Sequence, residues 1–291
     1  MSKHEIAPRW ILVVAAALLL TAACHEMVDN TPADYQTMKE VRPVGNTRQL
    51  DVRLQYDVGA LEIRSGNGDD LFSLNLDYDA NRTKPKFDFN ESGDRATMRL
   101  TMDGNHIGFN NSKRANDLTL TFNDKVPLDL DLTAGVSDSH LDMTDLDLKR
   151  FHLRGGVGKT EVSFDRPTET SMSSFEVECG VGNLIIRGLG NARAEQLKVT
   201  GGVGRTDLDF TGDLQNTQID SEISVGVGQV RLVLPREVGV RIEADGSFLS
   251  NISAPGFEKD GNTYTRRGSD NSTKIVIRVR SGVGGVTVEL I

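Results

Sequence analysis

The sequence predicts an all-β chain whose larger part is a parallel, single-coil β-solenoid preceded by an antiparallel β subdomain. Three observations carry this. The phrase GGVGKTEVSF at 155–164 is nearly repeated as GGVGRTDLDF at 201–210, and related corners centre on Val58, Val136, Val157, Val181, Val203, Val227 and Val283. From Val136 to Val227 the spacings are 21, 24, 22 and 24 residues, a period that belongs to stacked repeats. Both flanks of every corner alternate apolar and polar residues with period 2, which is the signature of a strand with one buried face.

The residues six and four before each valine are Val52 and Leu54, Leu130 and Leu132, Phe151 and Leu153, Phe175 and Val177, Leu197 and Val199, Ser221 and Ile223, Ile277 and Val279. Three and five after it come Leu61 and Ile63, Ser139 and Leu141, Thr160 and Val162, Leu184 and Ile186, Thr206 and Leu208, Val230 and Leu232, Val286 and Val288. Each repeat therefore reads as strand, corner, strand. Glycine precedes the valine in six of seven corners and follows it in six of seven, the exceptions being Asp57 and Ser137. Such glycines allow positive φ and close approach of neighbouring coils. The central valine is expected to point inward as a plug, so that Val203→Asp should unfold the domain. Cys179, two residues before Val181, is expected inside as a small apolar residue.

In chain order, Lys3 and Arg9, an apolar run from Trp10 to Leu20 and the small residues before Cys24 make residues 1–23 a signal peptide, with an apolar stretch too short to span a bilayer. Leu20-Thr21-Ala22-Ala23-Cys24 resembles the bacterial lipobox, departing from it at Thr21. The resemblance implies a lipid on Cys24 and a membrane-anchored lipoprotein. His25 rather than Asp after the cysteine points to the outer membrane, facing the periplasm. Residues 24–44, polar and holding Pro32 and Pro43, read as a tether. Between 45 and 125 the period fails and runs such as KFDFNESGDRATMRLTMDG appear. Phe87 and Phe89, a turn at Glu91-Ser92-Gly93-Asp94, then Met98, Leu100 and Met102 predict a hairpin within an N-terminal β subdomain. The solenoid proper is placed at 126–291.

Composition excludes several classes. Loss of residues 1–23 takes Lys3, Glu5 and Arg9 and leaves the chain slightly more acidic than its net charge of −9, which argues against nucleic acid as a partner. The single Trp10 leaves with the signal peptide, and Tyr35, Tyr56, Tyr78 and Tyr264 are too few for a sugar-stacking platform. With Cys24 acylated, Cys179 stands alone and no intrachain disulfide forms.

The pairs Asp129/Asp131, Asp145/Asp147 and Asp207/Asp209 invite a calcium ladder, yet no stretch matches an EF-hand loop or the G-G-x-G-x-D nonapeptide; a solvated strand face explains them. His25, His106, His140 and His152 show no His-x-His or Glu-x-x-His spacing, and His140 and His152 fall on the outward parity. No nucleophile motif or carboxylate pair beside aromatic subsites marks a catalytic centre. No catalytic residue, metal, cofactor or small-molecule substrate is therefore expected. The ending Gly285-Val286-Thr287-Val288-Glu289-Leu290-Ile291 reads as an uncovered last strand that could pair with another envelope protein or a second copy.

VPLDLDLTAGVSDSHLDMTDLDLKRFHLRGGVG at 126–158 and LPREVGVRIEADGSF at 234–248, with 251–261 following, resemble the toast-rack family of bacterial β-solenoid domains, which includes the C-terminal domain of LiaF-like cell-wall-active antibiotic response proteins. The resemblance covers 126–291 best and 45–125 less closely. It implies a rack of parallel strands with no catalytic residues. The functional expectation is a non-enzymatic, lipid-anchored scaffold with an adhesin-like interaction role, the alternative being a regulatory part of an envelope-stress system. The lipid anchor stands where LiaF-like members carry membrane-spanning helices.

Overall fold

The computed structural model describes residues 32–104, 116–215, 217–269 and 272–291. The expected signal peptide at 1–23, the expected lipidation site Cys24, His25 and His106 lie outside the described residues.

The strands run β1 (Tyr35–Pro43), β2 (Gln49–Gly66), β3 (Asp70–Asp79), β4 (Thr83–Ser92), β5 (Arg95–Gly104), β6 (Asp117–Asn123), β7 (Leu128–Asp142), β8 (Leu148–Ser163), β9 (Ser174–Arg187), β10 (Gln196–Asp209), β11 (Ile219–Leu234), β12 (Val240–Ser253), β13 (Glu258–Asp260), β14 (Thr263–Arg266) and β15 (Ile275–Leu290), with one helical turn, α1, at Leu189–Ala192. Among the described residues all fifteen strands belong to one sheet. Its spine is the parallel stack β2-β7-β8-β9-β10-β11-β15-β12. Every strand of the spine bends at its corner, so the stack forms two walls that share one interior. All the residues predicted inward on both flanks of the seven corners are buried. Phe151 and Phe175 stack within the core with centroids 5.0 Å apart, and Phe164 meets Phe175 edge-on at 6.0 Å.

The first rung explains the N-terminal architecture. One arm of β2 pairs with β5 from Gln49 to Gln55, and the other pairs with β6 from Ala60 to Gly66. Beyond β2 the two walls separate, one continuing as the β5-β4 hairpin and the other as β6-β3-β1. The predicted hairpin is present, with Gly93 at φ 67 in its turn. Phe72 of β3 packs on Phe87 and Phe89 of β4 at 6.1 and 5.4 Å, closing the end of the core. The sheet runs unbroken through residue 125, since β2 is itself a rung of the stack.

Three expectations are corrected. Residues 35–43 of the expected tether are strand β1, paired antiparallel with β3. The carboxylate of Asp79 fastens that pairing by accepting from the backbone N–H groups of Asp34 and Asn81 and from Arg82. The last strand, β15, is not an open edge. It lies between β11 and β12 and is hydrogen-bonded on both sides, because the chain builds β12 first and then returns to insert β15 beneath it. That end of the sheet is closed off by β12 and the short β14-β13 pair.

The central valines do line up, Val58 through Val136, Val157, Val181, Val203 and Val227 to Val283, each opposite the next. They do not plug the core. Val136 is 38 % exposed and the next five are 47–50 % exposed. The reason is a change of parity inside the corner. Residues at minus two pair across rungs and so do the valines, but the glycine between them has no ladder partner. It acts as a one-residue bulge, and a bulge flips every later side chain to the other face. The valine therefore belongs to the outgoing arm, whose inward positions are three and five residues further on.

Candidate interaction surface

Two columns of glycine make the exposed ridge possible, for different reasons. A Cβ on the preceding glycine would meet the carbonyl oxygen of the rung beneath at 2.1–2.7 Å at Gly135, Gly156, Gly180, Gly202, Gly226 and Gly282. The following glycines, 59, 158, 182, 204, 228 and 284, hold φ between 136 and 147°, and at 158, 182, 204, 228 and 284 a Cβ would sit 1.7–2.0 Å from the carbonyl oxygen below. The two exceptions fit this picture. Asp57 stands on the first rung, where neither β5 nor β6 reaches beneath the corner. Ser137 is not among the positive-φ residues; it turns inward and bonds Ser139. Between the glycines the valines form a bare apolar ridge that spans roughly 24 Å from Val136 to Val283 at ordinary strand spacing.

Inside the corner, the minus-two position is filled according to what lies below it. Tyr56, on the first rung, is fully buried and its hydroxyl donates to the carbonyls of Ala60 and Asn116; burial, with Asp117 nearby, pushes its phenol far above the ordinary range. Cys179 is half-buried and packs against the core. Burial raises its thiol, opposed in part by a bond to Thr160, so the predicted apolar role holds and the thiolate is scarce at neutral pH.

The outward face of the incoming arm carries a second column, five residues before each valine. In register it reads Arg53, Asp131, His152, Glu176, Lys198, Glu222, Arg278 and Glu243. Charge alternates along it, with His152 in a cation's place between Asp131 and Glu176. Lys198 is bonded to Glu176 at 2.5 Å, which raises the ammonium and lowers the carboxyl, and Arg278 Nε lies 3.5 Å from Glu243. Five of the six paired aspartates are likewise engaged with cations, Asp129 with Arg150, Asp131 with Arg154, Asp145 with Arg166, Asp147 with Lys149 and Asp207 with Arg205, and Asp209 accepts from the Thr211 N–H at 2.8 Å. His140 is exposed, its Nδ1 4.0 Å from Glu161.

The third side of the stack, formed by the loops between rungs, encloses a groove of about 800 Å³ lined by Asp145, Asp147, Arg166, Thr168, Arg193 and Asp213. Periodicity gave no sign of its organisers. Asn191 in α1 donates to Phe164 O at 2.8 Å and accepts from Asp213 N at 2.9 Å, bridging successive loops. Arg193, at φ 47 and 7 % exposed, donates to the carbonyls of Thr168 and Asp213. The buried Arg193, which also lies 3.6 Å from the Asp213 carboxylate, is a structural clamp, and Arg166 is held by Asp145, so each of these two groove cations already has an acidic partner. Among the described residues no helix is long and apolar enough to cross a membrane.

A bent, parallel, single-sheet β-solenoid with glycine-lined corners and an exposed valine ridge is a structural repeat domain, and its surface is built of ladders rather than of one pocket. The chain belongs to the toast-rack family: the family described as the N-terminal domain of toast_rack (Toast_rack_N, DUF2154) matches residues 29–187. The match thus takes in the N-terminal end as well as the first regular rungs, although the sequence resemblance was strongest over 126–291. Similar solved structures include a candidate cell adhesion protein from Clostridium sporogenes, 20 % identical, covering 89 % of this chain and 100 % of its own at a TM-score of 0.48. A candidate adhesin from Bacteroides fragilis is 15 % identical, covering 87 % and 97 %, at 0.39. One from Parabacteroides distasonis is 11 % identical, covering 89 % and 98 %, at 0.26. No curated protein matches the chain.

Proposed function

We propose that this protein is a non-enzymatic scaffold of the bacterial envelope, anchored at the outer membrane by a lipid on Cys24, that engages another envelope protein along its valine ridge. The observation that carries this reading is the ridge itself: five valines 47–50 % exposed and a sixth at 38 %, each opposite the next in one unbroken column of the parallel stack. Isolated exposed apolar residues are ordinary, but a contiguous row marks a contact surface. The glycines on either side keep the row free of shielding side chains, so an apolar strip on a partner can lie flat against it.

A photoreactive amino acid placed at Val157, Val181 or Val203 in intact cells should give a discrete adduct, and the same probe at Asp207 should not. No adduct from any ridge position would remove the reading. Separately, Cys24→Ser should abolish incorporation of labelled palmitate and release the protein from membranes. The rival role, regulatory input to an envelope-stress system, would instead appear as altered stress-response transcription on deletion of the gene with no adduct at the ridge.

A further inference from the structure

We infer that His152, Glu176 and Glu178 form a binding site for a divalent transition-metal ion of the zinc type on the outer wall of the solenoid. The three residues come from adjacent rungs, β8 and β9, and one donor atom from each lies within 4.8 Å of the other two. His152 and Glu176 are directly opposite in register, and the period of a strand puts Glu178 on the same face as Glu176. Rung stacking, not sequence spacing, makes the cluster, so no motif could announce it.

Two further observations point to a ligand. The Nε2 atom of His152 is shielded from solvent and has no hydrogen-bond partner. Its other nitrogen faces Arg154 Nη2 at 3.3 Å and Asp131 Oδ1 at 3.5 Å, so Nε2 is the atom left for a ligand, the ring proton moving to Nδ1 and toward Asp131 when the ion binds. The side chain of Glu178 makes no hydrogen bond or short ion pair among the described residues, and its charge is felt by Lys198. One imidazole nitrogen and two carboxylate oxygens suit zinc or its first-row neighbours, and Asp131 behind the imidazole is the kind of outer partner that orients a ligating histidine. Tetrahedral donors sit about 3.4 Å apart, so the side chains must close by about an ångström around the ion.

Lys198 defines how the site works. Its ammonium holds Glu176 in the metal-free protein, as an internal cation that an incoming ion displaces. The charges facing the site are Asp131 from β7, Arg154 from β8, Glu176 and Glu178 from β9 and Lys198 from β10. One tightly held lysine against a divalent ion predicts a moderate affinity that rises when the lysine is removed.

The test is calorimetric titration of the full-length mature protein in detergent with zinc chloride, paired with thermal melts. One site per chain and a rise in melting temperature are expected. His152→Ala and Glu178→Gln should each weaken binding at least 10-fold while leaving the metal-free melting temperature unchanged, and Lys198→Ala should tighten it. His140→Ala, on the exposed neighbouring pair, should change nothing. Absence of binding, binding indifferent to His152→Ala, or weaker binding in Lys198→Ala would each overturn the assignment. None of these outcomes bears on the valine ridge, so the two readings fail independently.

Discussion

The corner and the walls of each rung obey different constraints, although the sequence writes both as short apolar phrases. On the walls the side chain decides: alternate residues fill the interior, and chemistry there is interchangeable among Leu, Val, Ile, Phe and even Ser221. At the corner the backbone decides. Rungs approach so closely that any Cβ on the flanking glycines would enter a carbonyl oxygen of the rung below. The valine, the most conspicuous residue of the repeat, is the least constrained of the three.

That contrast ranks the consequences of substitution. The largest effect belongs to Gly204→Ala. Its φ is 141° and a Cβ would lie 1.8 Å from Gly182 O, a backbone atom that cannot move without shifting a whole rung. Strain at a forbidden φ added to overpacking should cost roughly 3 kcal/mol or more, read as a lower midpoint in urea. Gly284→Ala should behave alike. A wild-type midpoint for either would show that the rungs can separate at the corner.

Next comes the wall. Leu208 is fully buried in the shared interior, and Leu208→Ala should lose about 2–5 kcal/mol through transfer and cavity terms. If it cost less than Gly204→Ala by no measurable margin, the corner and wall would be equally plastic and the distinction above would fall.

An intermediate effect separates the irregular end from the regular stack. Burial opposes ionisation of Asp79, but the N–H groups of Asp34 and Asn81 and the guanidinium of Arg82 outweigh it and hold the carboxyl below its usual value. A carboxyl lowered by folding contributes stability that is present above its unfolded pKa and is lost as pH falls through the folded one. Acidification below about pH 4 should therefore free β1 from β3 before the parallel stack melts, visible as faster amide exchange over 35–43. Asp79→Asn should remove most of that pH dependence.

How much of this was legible follows from the same contrast. The walls were readable because period 2 is a local signal, and every predicted inward flank residue is buried. The bulge at the corner was also written in the numbers, since the inward positions lie at minus four and plus three, an odd separation. Assigning the valine to the incoming arm overlooked that flip. The insertion of β15 between β11 and β12 rests on long-range pairing that periodicity does not encode. One cue existed: Val283 repeats the corner of Val227 after a long interval, whereas 240–253 lacks a Gly-Val-Gly phrase. β12, as the end rung, passes its corner through a register shift between Gly246 and Leu249 instead. The cluster at His152 was invisible because its members are joined only by rung stacking.

The smallest expected effect is the most discriminating. Val203 is half exposed, so Val203→Asp meets water rather than a dry core and should change stability by no more than about 0.5 kcal/mol, the range of ordinary surface substitutions. Its neighbours in the ladder, Val181 and Val227, would lose only an apolar contact. Replacing Val157, Val181 and Val203 together with serine should leave the urea midpoint within that same range while removing the cellular adduct formed by a probe at Val227. Loss of fold in the triple variant would mean the valines brace one another along the ridge. Retention of both fold and adduct would mean the ridge is bare without being a contact surface.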